Sequence, residues 1–125
     1  MKEAVKTDKA PGAIGPYSQG VKAGGFVFVS GQLPLHVPSG TLEMDDIKKA
    51  TRYCLENVKA IVEEAGSSMD KIVKALVFLK DMNDFSDMNE VYGSFFKENP
   101  PARSCIEVAK LPKGVRIEIE VIAQL

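Results

Sequence analysis

Polar and apolar positions alternate with period two along residues 103–108 and 115–121, residues 26–29 and 72–79 are apolar on both faces, and apolar positions recur at steps of three and four over two stretches between these strands. The first helical stripe is Ile47, Ala50, Cys54, Val58, Ile61 and Ala65, and predicts a helix from near Asp45-Asp46 to Gly66. The aspartates favour the positive N-terminal end, and Gly66 suits a left-handed C-terminal cap. The second stripe is Phe85, Met88, Tyr92 and Phe95, widened by Val91 and Phe96, over residues 84–96. Asn99-Pro100-Pro101 ends it, because the residue before a proline avoids the helical region.

Residues 5–7 are expected as a short edge strand and 10–16 as an ordered loop, since prolines and glycines there supply neither helix nor ladder. Strand-like runs at 17–23 and 26–32 flank Gly24-Gly25, which predicts a β-hairpin. Breakers around His36 make 35–40 a surface loop. Residues 72–79 are apolar on both faces and need cover on each. Lys110-Leu111-Pro112-Lys113-Gly114 reads as a hairpin connection between the last two strands. The resulting order, β-β-(β)-α-β-α-β-β, predicts an α+β fold: a mixed sheet with two amphipathic helices on one face. The strands offer more apolar surface than one helical layer covers. Leaving such a face in water is disfavoured by roughly 25 cal/mol per Å², so a closed homo-oligomer with sheets packed together is expected.

Composition narrows the function. The chain has 125 residues, 45% of them hydrophobic, which suits a single domain over 1–125. Sixteen Lys and Arg against seventeen Asp and Glu leave a net charge of -1, so no general basic field exists to hold nucleic acid. The N-terminal residues lack a signal-like apolar run, and nothing approaches the ~18 apolar residues of a membrane span. A cytoplasmic protein without a membrane partner is expected. Two cysteines without C-x-x-C spacing and one histidine, His36, give no metal-ligand pattern, and no metal or cofactor is expected. Cys54 lies on the buried helical stripe and reads as core; His36 reads as a solvated loop residue.

The chemistry gathers near the C-terminus. Arg103, Cys105 and Glu107 share one strand face, with Ser104, Ile106 and Val108 on the other; Arg116, Glu118 and Glu120 share the polar face of the next strand. Arg103 and Glu118 come to one face only for one parity of strand register; for the other, a neighbouring subunit must supply the missing partner. A plain inter-strand salt bridge is the alternative, and Glu120 reads as an ion-pair partner. Ser30-Gly31 adds a hydroxyl and amides at a strand end. A guanidinium binds a carboxylate bidentately, so a small carboxylate ligand is expected.

These segments resemble the RidA (YjgF) family of enamine/imine deaminases. The resemblance rests on Ile14-Gly15-Pro16-Tyr17-Ser18-Gln19-Gly20, Val29-Ser30-Gly31-Gln32, Lys80-Asp81-Met82-Asn83-Asp84-Phe85, and Pro101-Ala102-Arg103-Ser104-Cys105-Ile106-Glu107-Val108-Ala109 with Ile117-Glu118-Ile119-Glu120. It implies a chorismate-mutase-like fold in a homotrimer with clefts between subunits. By the same resemblance, Arg103 clamps a substrate carboxylate and Glu118 handles water or a proton. Tyr17, Ser30, Gly31, Asn89 and Cys105 line the cleft, Cys105 mainly through its backbone amide. The implied reaction is cofactor-free hydrolysis of 2-enamino and 2-imino acids, such as 2-aminoacrylate released by pyridoxal-phosphate enzymes, to 2-oxo acids and ammonia, as in a 2-iminobutanoate/2-iminopropanoate deaminase. Where similar sequences carry an aromatic just before Pro-Ala-Arg, this chain has Asn99-Pro100-Pro101, which alters the cleft rim.

Two other readings compete. An endoribonuclease, an activity attributed to some members, would need an acid-base pair and an RNA track that the sequence does not display. A trimer that senses 2-oxo acids without turnover would keep Arg103 but have no use for Glu118, which makes Glu118 the discriminator.

Overall fold

Alternation in β6 (Ile72–Leu79) and β8 (Ile117–Gln124) organises the computed structural model, which describes residues 1–125. Ala75, Val77 and Leu79 of β6 and Ile117, Ile119, Val121 and Ala123 of β8 point to one side and are buried. Around this pair a six-stranded sheet runs in the order β1-β2-β3-β8-β6-β7, with β1 (Glu3–Val5), β2 (Gly20–Ala23), β3 (Phe26–Gln32) and β7 (Ala102–Glu107). A small separate ladder joins β4 (Leu35–His36) to β5 (Thr41–Leu42), within and just beyond the segment expected as loop.

The helices fall on the expected side. Helix α1 (Ile47–Glu64) turns its buried stripe, from Ile47 through Cys54 to Ile61, onto the sheet. Asp46 caps its start by accepting from the amides of Lys48 and Lys49, and Gly66 at φ 89° closes its end, where the Ser67 amide donates to the Val62 carbonyl. Helix α2 (Phe85–Phe95) buries Met88, Val91 and Tyr92. Gly24 and Gly25 both have positive φ and turn the β2-β3 hairpin, as their sequence predicts. The first strand starts at Glu3, earlier than residue 5, and holds the sheet edge; residues 17–19 belong to the loop before β2.

One expectation is overturned. β7 and β8 are not a hairpin, because β6 lies between them: β7 pairs parallel with β6, and β8 pairs antiparallel with β6 on the other side. The cause is α2, which carries the chain back to the starting end of β6, so the following strand must run parallel. Residues 108–116 then cross to the far side of β6, turning through Pro112–Gly114.

The sheet's other face has no cover within the chain. Phe28 pairs with Ile122, Phe78 with Ile106, and Leu76 with Ser104, all on this open side. Phe28 is 45% and Ile106 46% exposed. Glu118 and Glu120 stand in the same layer, opposite Phe78 and Leu76.

Candidate functional site

Glu118 is held by a defect in the sheet. Between β3 and β8 the register passes from Val29↔Val121 to Gln32↔Ile119, so Ser30 and Gly31 form a β-bulge with one extra residue against β8. Gly31 has no side chain at the point where Glu118 passes: a Cβ there would fall on the Glu118 carboxylate, far inside van der Waals contact. Ser30 Oγ donates to the Ser18 carbonyl at 2.6 Å, tying the bulge to the loop that carries Tyr17. Buried Gln19 organises that loop. Its Oε1 accepts from the Thr7 amide at 2.7 Å, and its Nε2 donates to the carbonyls of Thr7 and Pro11 at 3.0 and 2.7 Å. An open cavity of about 890 Å³ results, with Tyr17, Ser30, Gly31 and Glu118 in its wall, backed by Leu33, Leu35 and Leu42. Burial pushes the Glu118 carboxyl above the ordinary glutamate value, and the charge of Glu120 pushes it further.

Arg103 belongs to a second constellation, built by α2. Asn89, one turn after Phe85, accepts from Arg103 Nη1 at 2.7 Å. The guanidinium carbon lies 4.7 Å from the Tyr92 ring centre and 5.5 Å from that of Phe85. Cys105 follows on the same strand face, its thiol pushed up by burial and partly drawn back by the Arg103 charge. With its pKa above the ordinary thiol value it is a poor nucleophile, which suits the backbone role expected of it.

The seven site residues expected from sequence therefore fall into two groups. Tyr17, Ser30, Gly31 and Glu118 line the cavity; Arg103, Asn89 and Cys105 cluster beside α2. The register keeps the groups apart: Arg103 pairs with Ala75, on the helix side, whereas Glu118 pairs with Phe78, on the open side. The parity rule expected from sequence presumed a β7–β8 hairpin, which does not form; across the intervening β6 the two side chains fall on opposite faces.

Other charged residues have structural duties. Arg116 leaves the polar row and binds both carboxylate oxygens of Asp84 at 2.7 and 2.8 Å. His36 is half-buried and its ring lies 4.7 Å from that of Tyr53, with Nδ1 2.9 Å from Ser39 Oγ; it is a member of neither group. A second cavity, of about 610 Å³, carries Lys59, Glu63, Asp70, Lys97 and Glu98 and none of the expected site residues. No three His, Cys, Asp or Glu side chains are placed to hold a metal ion. The helical stripe packs as core, with Tyr92 buried and Phe85 half-buried against it; sequence reading missed that the same two rings also form a platform under Arg103. The available signal was their spacing with Asn89, which puts all three on one helix face.

The chain is similar to known proteins over nearly its whole length. A family model described as endoribonuclease L-PSP matches residues 7–125. A RutC family protein of Pyrococcus horikoshii is 54% identical over 123 residues, covering 98% of each chain. A 2-iminobutanoate/2-iminopropanoate deaminase of Salmonella typhimurium is 52% identical over 126 residues, again covering 98% of each. The crystal structure of Escherichia coli TdcF with bound serine superposes with a TM-score of 0.94 at 49% identity, covering 98% of both chains.

Proposed function

The chain belongs to the endoribonuclease L-PSP family, also called the RidA (YjgF) family, and on that basis we propose that it hydrolyses reactive 2-enamino and 2-imino acids to 2-oxo acids and ammonia. The working unit is a homotrimer with its clefts between subunits, each joining Arg103 of one protomer to Glu118 of the next. The observation that carries this reading is the split site: a guanidinium without a carboxylate partner on one side of the sheet, and a carboxyl with a raised pKa on the other. The uncovered apolar face supports the assembly, because a second copy removes it from water. Serine bound to TdcF supports a small carboxylate ligand.

The chemistry needs little beyond these groups. After an enamine tautomerises to its imine, C2 is electrophilic. Arg103 holds the carboxylate, and Glu118 takes a proton from water as its oxygen bonds to C2. The imine nitrogen accepts that proton from Glu118 to give a carbinolamine, whose hydroxyl proton then passes through Glu118 to the amino nitrogen as the C–N bond breaks; ammonia leaves and the carbonyl of the 2-oxo acid forms. A carboxyl raised above the usual range suits both directions of proton transfer, and positioned acid-base catalysis of this kind gives roughly 10² to 10⁴-fold. The family's endoribonuclease description finds less support, since His36 lies outside both groups and has no acidic partner.

The test generates an imino acid in situ with an amino-acid oxidase, traps it with semicarbazide, and compares wild type with Arg103→Ala and Glu118→Ala. Acceleration by wild type and its loss in both variants, with the oligomer intact, is expected. Equal activity of wild type and Arg103→Ala would refute the clamp. Binding of 2-oxobutyrate by a wild type that gives no acceleration would favour the sensor.

A further inference from the structure

Arg103 and Arg116 stand two strands apart and are treated in opposite ways. Arg116 is neutralised by a bidentate carboxylate. Arg103 enters no ion pair: its protein contacts are one hydrogen bond to the neutral Asn89 amide and two aromatic rings. Rings restrain a guanidinium through the attraction of a cation to a π face, and they leave its charge in place. Nη1 is taken by Asn89, while Nη2 and Nε have no hydrogen-bond partner in the chain.

Resting on the carboxylate-clamp reading, we propose that Tyr92 and Phe85 are positioning residues. Their rings fix the Arg103 guanidinium so that its Nη2–Nε edge meets a substrate carboxylate without prior reorganisation. Three further observations bear on this. Phe85, Asn89 and Tyr92 occupy one face of α2 at steps of four and three, so one helix sets the whole cradle. Tyr92 is itself wedged, with the Phe96 ring centre 4.6 Å behind it. The Tyr92 hydroxyl has no hydrogen-bond partner within the chain, and the contact of Tyr92 with Arg103 is made through the ring. A guanidinium immobilised before binding loses less freedom when the ligand arrives, and an acidic residue in Asn89's place would quench the charge the ligand needs.

The experiment measures binding of 2-oxobutyrate and of its uncharged amide, 2-oxobutanamide, by calorimetry to wild type, Arg103→Ala, Tyr92→Phe, Tyr92→Leu and Phe85→Leu, with trimer content checked for each. Tyr92→Phe keeps the ring and is expected to bind like wild type. Tyr92→Leu is expected to weaken 2-oxobutyrate about 10-fold, and half-buried Phe85→Leu about 3-fold, with amide binding unchanged. Phe85→Leu keeps the test open if leucine at buried position 92 impairs folding. Wild-type affinity for 2-oxobutyrate in both leucine variants, or equal weakening of both ligands, overturns the positioning role. Undiminished binding by Arg103→Ala overturns the clamp and this inference with it, whereas selective loss in Arg103→Ala with none in the ring variants overturns the inference alone.

Discussion

In the proposed mechanism turnover depends on Glu118, and the environment of that residue sets its working range. Its carboxyl is raised by burial first and by Glu120 second. As a base it acts ionised, so activity is expected to fall as pH drops through this raised pKa. Glu120→Gln removes the second contribution and leaves the first, so the acid limb of the kcat/KM profile should move to lower pH without reaching that of an ordinary glutamate. An unmoved limb would contradict the assignment. The stability effect has the opposite sense: the folded state holds this proton more tightly than the unfolded chain, so Glu118's contribution is complete below the unfolded pKa and is lost as pH rises through the folded one. Urea unfolding should therefore show Glu118→Gln gaining on wild type between acid and neutral pH, a conflict between stability and activity common at functional sites.

At the scale of elements, the two site groups depend on one latch. Arg116, at the entry to β8, grips Asp84 at the start of α2 and donates from Nη1 to the Asp45 carbonyl before α1. Nearby, the Met82 amide donates to Glu107 of β7 at 2.8 Å. The strand that carries Glu118 is thereby joined to the helix that cradles Arg103. Asp84 is largely buried and Arg116 only partly so, so Asp84→Ala is expected to cost about 2 kcal/mol in chemical denaturation, with Asp84→Asn losing less. A loss no larger than the ~0.5 kcal/mol of an exposed pair would make the latch incidental.

Both helices and the Gly24-Gly25 hairpin were legible in sequence, because a 3.6-residue stripe, an aspartate cap and paired glycines are local signals. The β7–β8 pairing was not: residues 110–114 look like a turn whether the chain reverses or crosses a strand, and only the strand-helix-strand run through α2 argued for parallel pairing. The bulge at Ser30-Gly31 was partly visible as a glycine in a strand, but the contact that requires it, Glu118 some ninety residues on, is a tertiary fact. Arg116 shows the converse: its alternation with Glu118 and Glu120 suggested a shared face, and its partners on other elements draw it away.

For the whole molecule, the excess of apolar surface read from the strand patterns reappears as an uncovered sheet face bearing Phe28, Leu76, Phe78, Ile106 and Ile122. Glu118 stands on that face, while Arg103 looks the other way from the edge strand β7. Within one chain the two groups lie on opposite faces of the sheet, so the proposed site takes a second copy to complete it. Complementation between inactive variants tests this most directly. Arg103→Ala and Glu118→Ala chains, each inactive alone, are unfolded together, refolded as mixed trimers and assayed for imino-acid hydrolysis. A cleft shared between neighbours regains both groups in about one quarter of random pairings, so activity should return to roughly a quarter of wild type. No recovery from trimers shown to be mixed would mean that each site lies within a single chain, and would contradict a cleft shared between protomers.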